Sequence, residues 1–480
     1  MNSVALGLNE DVSFDGLTLS KVSEKYHNEN KEPIAFDFKS SIRRVLPSEK
    51  DYSTDAHYIH YYPGRIFPYI PLFLLSLNEF KNIKEPVLDP FAGSGTILLE
   101  SITNPFVRRS AIGVERNPIG RLISKVKCTP LEEQTLKECL GEIKNKYNMS
   151  KRAVNEISEF KNWSLWFSDK ALRKLSRLKY TIKNVAHGQD YQDFFWLCFS
   201  GTIRRVSKAN PYIPPPVILK PEKYLASKET YEKLRKRLED SENPDVLKVF
   251  TEIVLKNAKK LRALNDFFEL KTRKISSEMI WDDAKSIKCG KLAMRGAICK
   301  EGAQTLASGS VGLVISSPPY LTAQKYIRTN RLELFCLGYG EKEVLSLEKG
   351  TIGTEHVSVK TPISSLGVAS IDVAIENTRI HSKERAVQVF QYFKDMMDTL
   401  NEMLRVLQEN SYGSLVVGDN RVLNKNMKTY RLLTDAAIKI GFEETAILRD
   451  SIRSRSMLTK RNGTGGIIKD EYVIILKKVG

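Results

Sequence analysis

The stretch that decides the fold is Pro86-Val87-Leu88-Asp89-Pro90-Phe91-Ala92-Gly93-Ser94-Gly95-Thr96, continued by Ile97-Leu98-Leu99-Glu100. A short apolar run ends in an acid, a glycine-spaced turn follows, and apolar residues resume, which reads as strand, turn and helix. Gly93 and Gly95 permit a tight turn and let backbone amides come close to a ligand. Ser110-Ala111-Ile112-Gly113-Val114-Glu115 is a second short strand that also ends in an acid. Strand, helix and strand in that order predict a right-handed crossover and a parallel sheet.

A glycine turn at the carboxyl end of such a strand is where these sheets bind nucleotides. A bare Gly-x-Gly is equally consistent with a tight connection that holds no ligand. Glu115 follows the turn at about twenty residues, where a carboxylate can accept both hydroxyls of a ribose. The plain alternative for Glu115 is a surface acid that caps the next helix.

Working outward, residues 1–55 are polar and weakly patterned and are expected to be an N-terminal extension. The aromatic segment Tyr61-Tyr62-Pro63-Gly64-Arg65-Ile66-Phe67 lies just before the glycine turn. Residues 131–290 are long, charged and mostly helical in pattern, interrupted by Asn210-Pro211-Tyr212-Ile213-Pro214-Pro215-Pro216. They read as an insertion that separates a first sheet segment, 56–130, from a second, 291–480. The sheet pattern resumes at Val311-Gly312-Leu313-Val314-Ile315-Ser316, and strands are expected at Gly413 to Gly418 and Glu471 to Lys478.

The resumed strand runs straight into Ser317-Pro318-Pro319-Tyr320. Two prolines stiffen the corner and remove two amide donors, which leaves carbonyls free to accept from an amino group. Tyr320 offers a flat face, so the corner suits a flipped nucleobase held by its Watson–Crick edge and by stacking. A proline-rich loop with an exposed tyrosine is the bland alternative.

Composition is consistent with this and excludes little. The 480 residues carry 75 Lys and Arg against 57 Asp and Glu, a formal charge of +18 that favours a polyanionic partner. No two of the six cysteines form a Cys-x-x-Cys pair and no histidine stands near Cys289 and Cys299, so no metal site is expected. Met1 to Phe14 lack a basic stretch followed by an apolar core, and the apolar run Ile66 to Leu77 is broken by Pro68 and Pro71. A cytoplasmic protein without membrane association is the expectation.

Asp-Pro-Phe-Ala-Gly-Ser-Gly-Thr together with Ser-Pro-Pro-Tyr resembles the amino-methyltransferases of bacterial and archaeal DNA. The resemblance covers roughly residues 56–125 and 300–480. It implies an α/β class I methyltransferase (Rossmann-like) fold, with a mostly parallel seven-stranded sheet and a large, mainly helical insertion. It implies S-adenosyl-L-methionine as cofactor, bound by Asp89, Phe91, Gly93, Gly95 and Thr96, by Glu115 at the ribose, and by Tyr62 in the upstream segment. It assigns Ser317, Pro318, Pro319 and Tyr320 to the target base. The order of the motifs is the alpha-type arrangement, in which the insertion recognises double-stranded DNA and Arg204-Arg205 would contact phosphates and base edges.

Serine at the first position of the corner favours cytosine N4 in this family, where aspartate or asparagine favours adenine N6. A restriction endonuclease acting on the same site is the expected partner. An RNA methyltransferase and a non-catalytic DNA-binding protein with the same fold are the rival readings. The chain departs from the family pattern twice. Gly312 stands where an acid often precedes the catalytic strand, and Glu301-Gly302-Ala303 is the nearest match to the usual Gly-Asp pair at the cofactor adenine.

Overall fold

A computed structural model describes residues 18–46, 55–81, 83–149, 156–157, 160–185, 188–281, 283–287, 305–321, 325–423, 425–452 and 469–480. Its strands are β1 (Ile34–Ala35), β2 (Val87–Asp89), β3 (Ala111–Val114), β4 (Ser277–Trp281), β5 (Val311–Ser316), β6 (Leu407–Gly418), β7 (Asn420–Val422), β8 (Lys425–Met427), β9 (Phe442–Ser451) and β10 (Asp470–Lys478). Eight of them form one sheet in the order β1-β9-β10-β6-β5-β2-β3-β4. The strands from β6 to β4 pair in parallel. Within this described sheet β10 alone runs against its neighbours, inserted between β6 and β9. The seven-stranded class I sheet expected from the sequence is therefore present, and two-residue β1 adds an eighth strand beside β9.

Both faces of the centre are covered, so β2, β3 and β5 are buried along their whole lengths and are apolar up to the Asp89 and Ser316 that end β2 and β5. On β3 the pleat sends Ile112 and Val114 into one core and Ala111 into the other. The first core is capped by helices Tyr69–Leu75, Lys383–Val406 and Thr429–Ile440. The last of these stops at Gly441, with φ at +122°. The second core holds Ile119 and Ile123 of helix Pro118–Lys127 together with Leu136, Leu175, Phe195 and Phe250 from the helices that follow. The helical insertion is thus packed onto the sheet through a shared core rather than appended to it.

Two boundaries differ from the sequence expectation. The Ser277–Trp281 strand pairs with β3 in the main sheet, so sheet structure resumes well before residue 291. As an edge strand with one partner it carries the mixed string Ser-Glu-Met-Ile-Trp, which gives no apolar alternation to read. The N-terminal extension also holds ordered structure. Helix Leu19–Asn28 is capped by Thr18, and the Tyr26 hydroxyl donates to Glu444 Oε1 on β9 at 2.7 Å. Phe38 and Ile42 of helix Phe38–Val45 are fully buried in the first core.

Because β2, β3, β4, β5 and β6 are parallel, their carboxyl ends share one edge. Asp89, Glu115, Asp283, Ser317 and Asp419 all lie at or just past those ends. The chain winds from β2 toward β3 on one side, and β5 flanks β2 on the other. That reversal makes the β2/β5 crevice the place where open sheets of this kind bind ligands.

Candidate functional site

The glycine turn is fixed by its own backbone. Gly93 and Gly95 have φ of +52° and +71°, values that side chains rarely tolerate. A Cβ on Gly95 would stand 2.9 Å from the Ser124 backbone, and one on Gly93 would stand 3.3 Å from the Tyr62 ring. Ala92 N donates to Val114 O at 2.9 Å and Ser124 Oγ donates to Gly93 O at 2.9 Å, tying the turn to β3 and to helix Pro118–Lys127. Thr96 opens the next helix and is buried.

Glu115 sits at the floor of the crevice. Its Oε2 accepts from Gly93 N at 2.8 Å and its Oε1 from Asn117 N at 2.6 Å. The Tyr62 hydroxyl bonds to the same carboxylate, and the acceptor capacity left over is open to a ligand hydroxyl. Burial pushes the Glu115 pKa up, against the lowering effect of those two amides and of Arg121. Asp89 lies behind the turn and accepts from Ser316 Oγ at 2.6 Å and Phe91 N at 3.1 Å. Burial raises its carboxyl to about 7, and the charge of Glu115 adds to the rise.

One cavity of about 670 Å³, measured with its open mouth, joins the two motifs. Tyr62, Phe91, Gly93 and Glu115 line it on one side, and Ser317 and Pro319 on the other. The two motifs, separated by some two hundred residues, thus face a single space. Tyr62 stacks on Tyr326 with ring centroids 6.1 Å apart and planes 27° apart, closing one wall. Ser317 Oγ donates to Val416 O of β6 at 3.1 Å. The hydroxyl proton is therefore engaged, and the oxygen remains as an acceptor.

Not every expected residue reaches the cavity wall. Asp89, Gly95 and Thr96 shape the turn from behind. Pro318 is buried behind the corner, and Tyr320 is likewise absent from the lining. Its carbonyl packs against Gly353, and its hydroxyl is held well above its ordinary range by burial beside Glu471, Tyr326 and Tyr392.

Arg204 corrects an expectation about phosphate contacts. Its Nη2 donates to the carbonyls of Ile213 at 2.6 Å and Pro214 at 3.0 Å, so the guanidinium holds the proline loop in place. A proline loop lacks amides to pair its own carbonyls, and the nearest strong donor fills the need. Arg205 lies 3.7 Å from Glu252 on the neighbouring helix.

Sequence reasoning missed three groups. Asn117 caps helix Pro118–Lys127 and its Nδ2 donates to Asn330 Oδ1 at 3.1 Å, bridging the segment after the glycine turn and the segment after the proline corner. Asn117-Pro118, one residue beyond Glu115-Arg116, was the available signal. Gly120 packs so closely that a Cβ there would stand 2.8 Å from Glu115 Cγ and 2.9 Å from Gly93 O. Asp283 and Ala284, just past β4, line the cavity beside Val114 and Arg116. The Glu301-Gly302-Ala303 segment lies outside the described residues, as do Cys289 and Cys299. Gly312 is explained by packing, since a Cβ there would meet Ile83 Cγ2 at 2.1 Å.

Among the described residues no set of three His, Cys, Asp or Glu is placed to hold a metal. Cys128, Cys139, Cys198 and Cys336 are free and buried. No described helix is long and apolar enough to cross a membrane.

No family model matches the chain. Curated relatives do. The type II methyltransferase M.MvaI of Kocuria varians is 22% identical over 88% of this chain and 91% of its own length. The type II methyltransferase M.AvaI of Nostoc is 23% identical over 77% of this chain and 75% of its own length. M.MjaII of Methanocaldococcus jannaschii, also a type II methyltransferase, is 26% identical over 32% of this chain and 27% of its own length. Among solved structures, a putative DNA modification methylase from Thermus thermophilus complexed with S-adenosyl-L-methionine aligns over 36% of this chain and 50% of its own, at 16% identity and a TM-score of 0.19.

Proposed function

We propose that this relative of the type II methyltransferases is a DNA methyltransferase that uses S-adenosyl-L-methionine and modifies the N4 amine of cytosine. The observation that carries the reading is the single cavity shared by Gly93, Glu115, Ser317 and Pro319. The residues fit the cofactor. Gly93 leaves room that a Cβ would fill, Glu115 offers acceptors to a ribose, and Phe91, Val114 and Ile352 provide apolar walls. Asp283 and Arg116 stand on the Glu115 side and are assigned to the adenine end.

When bound, the cofactor supplies a methyl group on a positively charged sulfonium, an excellent leaving group. The remaining work is positioning. An exocyclic amine conjugated with its ring is a poor nucleophile. Ser317 Oγ, with its proton directed to Val416 O, accepts from the amine N–H, and the Pro318 carbonyl accepts the second. Both bonds localise the nitrogen lone pair. The nitrogen would gain the methyl group as the carbon–sulfur bond breaks with its electron pair left on sulfur, giving a neutral thioether, and the surplus proton on nitrogen would pass to water. Tyr320 supplies the stacking face that holds the base beyond Pro319, and extrusion from the duplex brings the base there.

A matching restriction endonuclease belongs to the same reading, since methylation by type II enzymes pairs with cleavage at one site. The test is methyl incorporation from labelled cofactor into duplex DNA and into structured RNA, followed by identification of the modified nucleoside. N4-methylcytosine in DNA is the expected product. N6-methyladenine would move the target base, and incorporation into RNA alone would overturn the reading.

A further inference from the structure

We infer that Arg65, Lys256 and Lys260 form a phosphate-binding track for duplex DNA at the mouth of the cavity, beside the exposed rings of Tyr58 and Tyr61. This rests on the DNA methyltransferase reading.

The placement follows from two elements. Tyr62 and Gly64 line the cavity, and Gly64 is itself exposed, so the cavity meets solvent at this segment. Their neighbours Tyr61 and Arg65 face outward, as does Tyr58, and the two tyrosines are 50% and 59% exposed. Helix Val246–Leu261 packs against the same segment. Its Lys260 Nζ donates to Tyr58 O, and Lys256 stands one turn earlier on the same face. Arg65 lies over the Tyr58 ring at 5.2 Å and donates to His57 O at 2.6 Å.

Three cations are thereby gathered with little to balance them. Among the described residues none of the three forms an ion pair, and Asp55 is the acid whose charge reaches Lys260. Glu252, on the same helix, is turned to Arg205. Lys260 is held below its usual range by burial and by the charges of Lys256 and Arg65. Gathering like charges without partners is unfavourable in the free protein and becomes favourable against a polyanion, whose counterions are released. Arg65 and Lys260 are pre-positioned by backbone carbonyls, which lowers the ordering cost of binding. A phosphate backbone seated here would bring a duplex to the opening through which a base reaches Ser317.

The experiment uses the full chain and compares the parent with Lys256→Glu/Lys260→Glu, with Lys256→Glu alone, and with Lys233→Glu/Lys236→Glu on helix Lys228–Asp240. Duplex DNA affinity is read by fluorescence anisotropy across a salt series, and cofactor affinity by calorimetry. The track variants are expected to lose at least about tenfold in duplex affinity, and the double variant to flatten the salt slope by roughly 2. Their cofactor affinity stays that of the parent, and the control variant changes less. Parental affinity and slope in both track variants, or an equal loss in the control, would overturn the track while leaving the methyltransferase reading intact. A parent chain that binds cofactor but neither binds nor methylates duplex DNA would overturn both.

Discussion

The amide of Gly93 donates to Oε2 of Glu115 across 2.8 Å, which locks the glycine turn to the acid that ends the next strand. The same carboxylate takes the amide of Asn117, and Asn117 in turn reaches Asn330 beyond the proline corner. One chain of hydrogen bonds therefore runs from the glycine turn to the segment beyond the proline corner. Replacing Glu115 with alanine removes two anchors and the ribose acceptor together. Cofactor affinity should fall by roughly 30-fold or more, the worth of about 2 kcal/mol in charge-assisted hydrogen bonds. Calorimetry with S-adenosylmethionine checks it, and unchanged affinity would remove Glu115 from the site.

Gly93→Asp should abolish cofactor binding while leaving the fold. The added side chain starts 3.3 Å from the Tyr62 ring and must adopt φ near +52°. It also puts a carboxylate within reach of Glu115. Left-handed backbone for a non-glycine residue costs about 1–2 kcal/mol, too little to unfold a chain of this size. Circular dichroism that matches the parent, together with silent calorimetry, is the expected pair of results.

Ser317→Ala should separate binding from chemistry. The Oγ donates to Val416 O and faces the cavity, but it supports no part of the glycine turn. Turnover should drop by about 100-fold or more, in line with the loss of a positioning hydrogen bond in a transition state, with cofactor affinity unchanged. Single-turnover methyl transfer measures this, and parental rates would exclude the hydroxyl.

Cofactor affinity should depend on pH in a stated direction. Burial raises Asp89 to about 7 and also raises Glu115. The bound cofactor carries positive charge and favours both carboxylates in ionised form. Below the raised values binding must release a proton, so affinity falls as pH drops and levels off above about 7. Calorimetry in buffers of different ionisation enthalpy should show proton release on the acidic side. A flat profile from about pH 6 to 8 would contradict it.

Arg204→Met should behave as a stability variant. It frees the loop carbonyls of Ile213 and Pro214, at a cost of about 1–3 kcal/mol. A lowered melting temperature with the salt slope of DNA binding unchanged is expected. A parental melting temperature with a reduced slope would return Arg204 to phosphate contact.

The sequence made the centre of the site legible because its chemistry is local. Gly93 and Gly95 declare a left-handed turn, and Ser317 to Tyr320 declare a rigid corner after an apolar strand. Features that depend on distant partners stayed hidden. Asn117 matters through Asn330, 213 residues away. The Ser277–Trp281 strand is half-polar because it pairs on one side only, so it blended into the charged insertion. Two adjacent arginines suggested DNA, whereas Arg204 answers to the unpaired carbonyls of a proline loop a few residues on. The N-terminal extension meets the sheet through partners far along the chain, as where Tyr26 bonds to Glu444, 418 residues later.

The most direct measurement is sequencing of DNA from cells that express the chain, with detection of N4-methylcytosine and N6-methyladenine at single positions. The account predicts N4-methylcytosine at one recurring sequence, lost when Ser317 is replaced by alanine. DNA with no added methyl mark, from cells in which the protein is folded and binds cofactor, would contradict it.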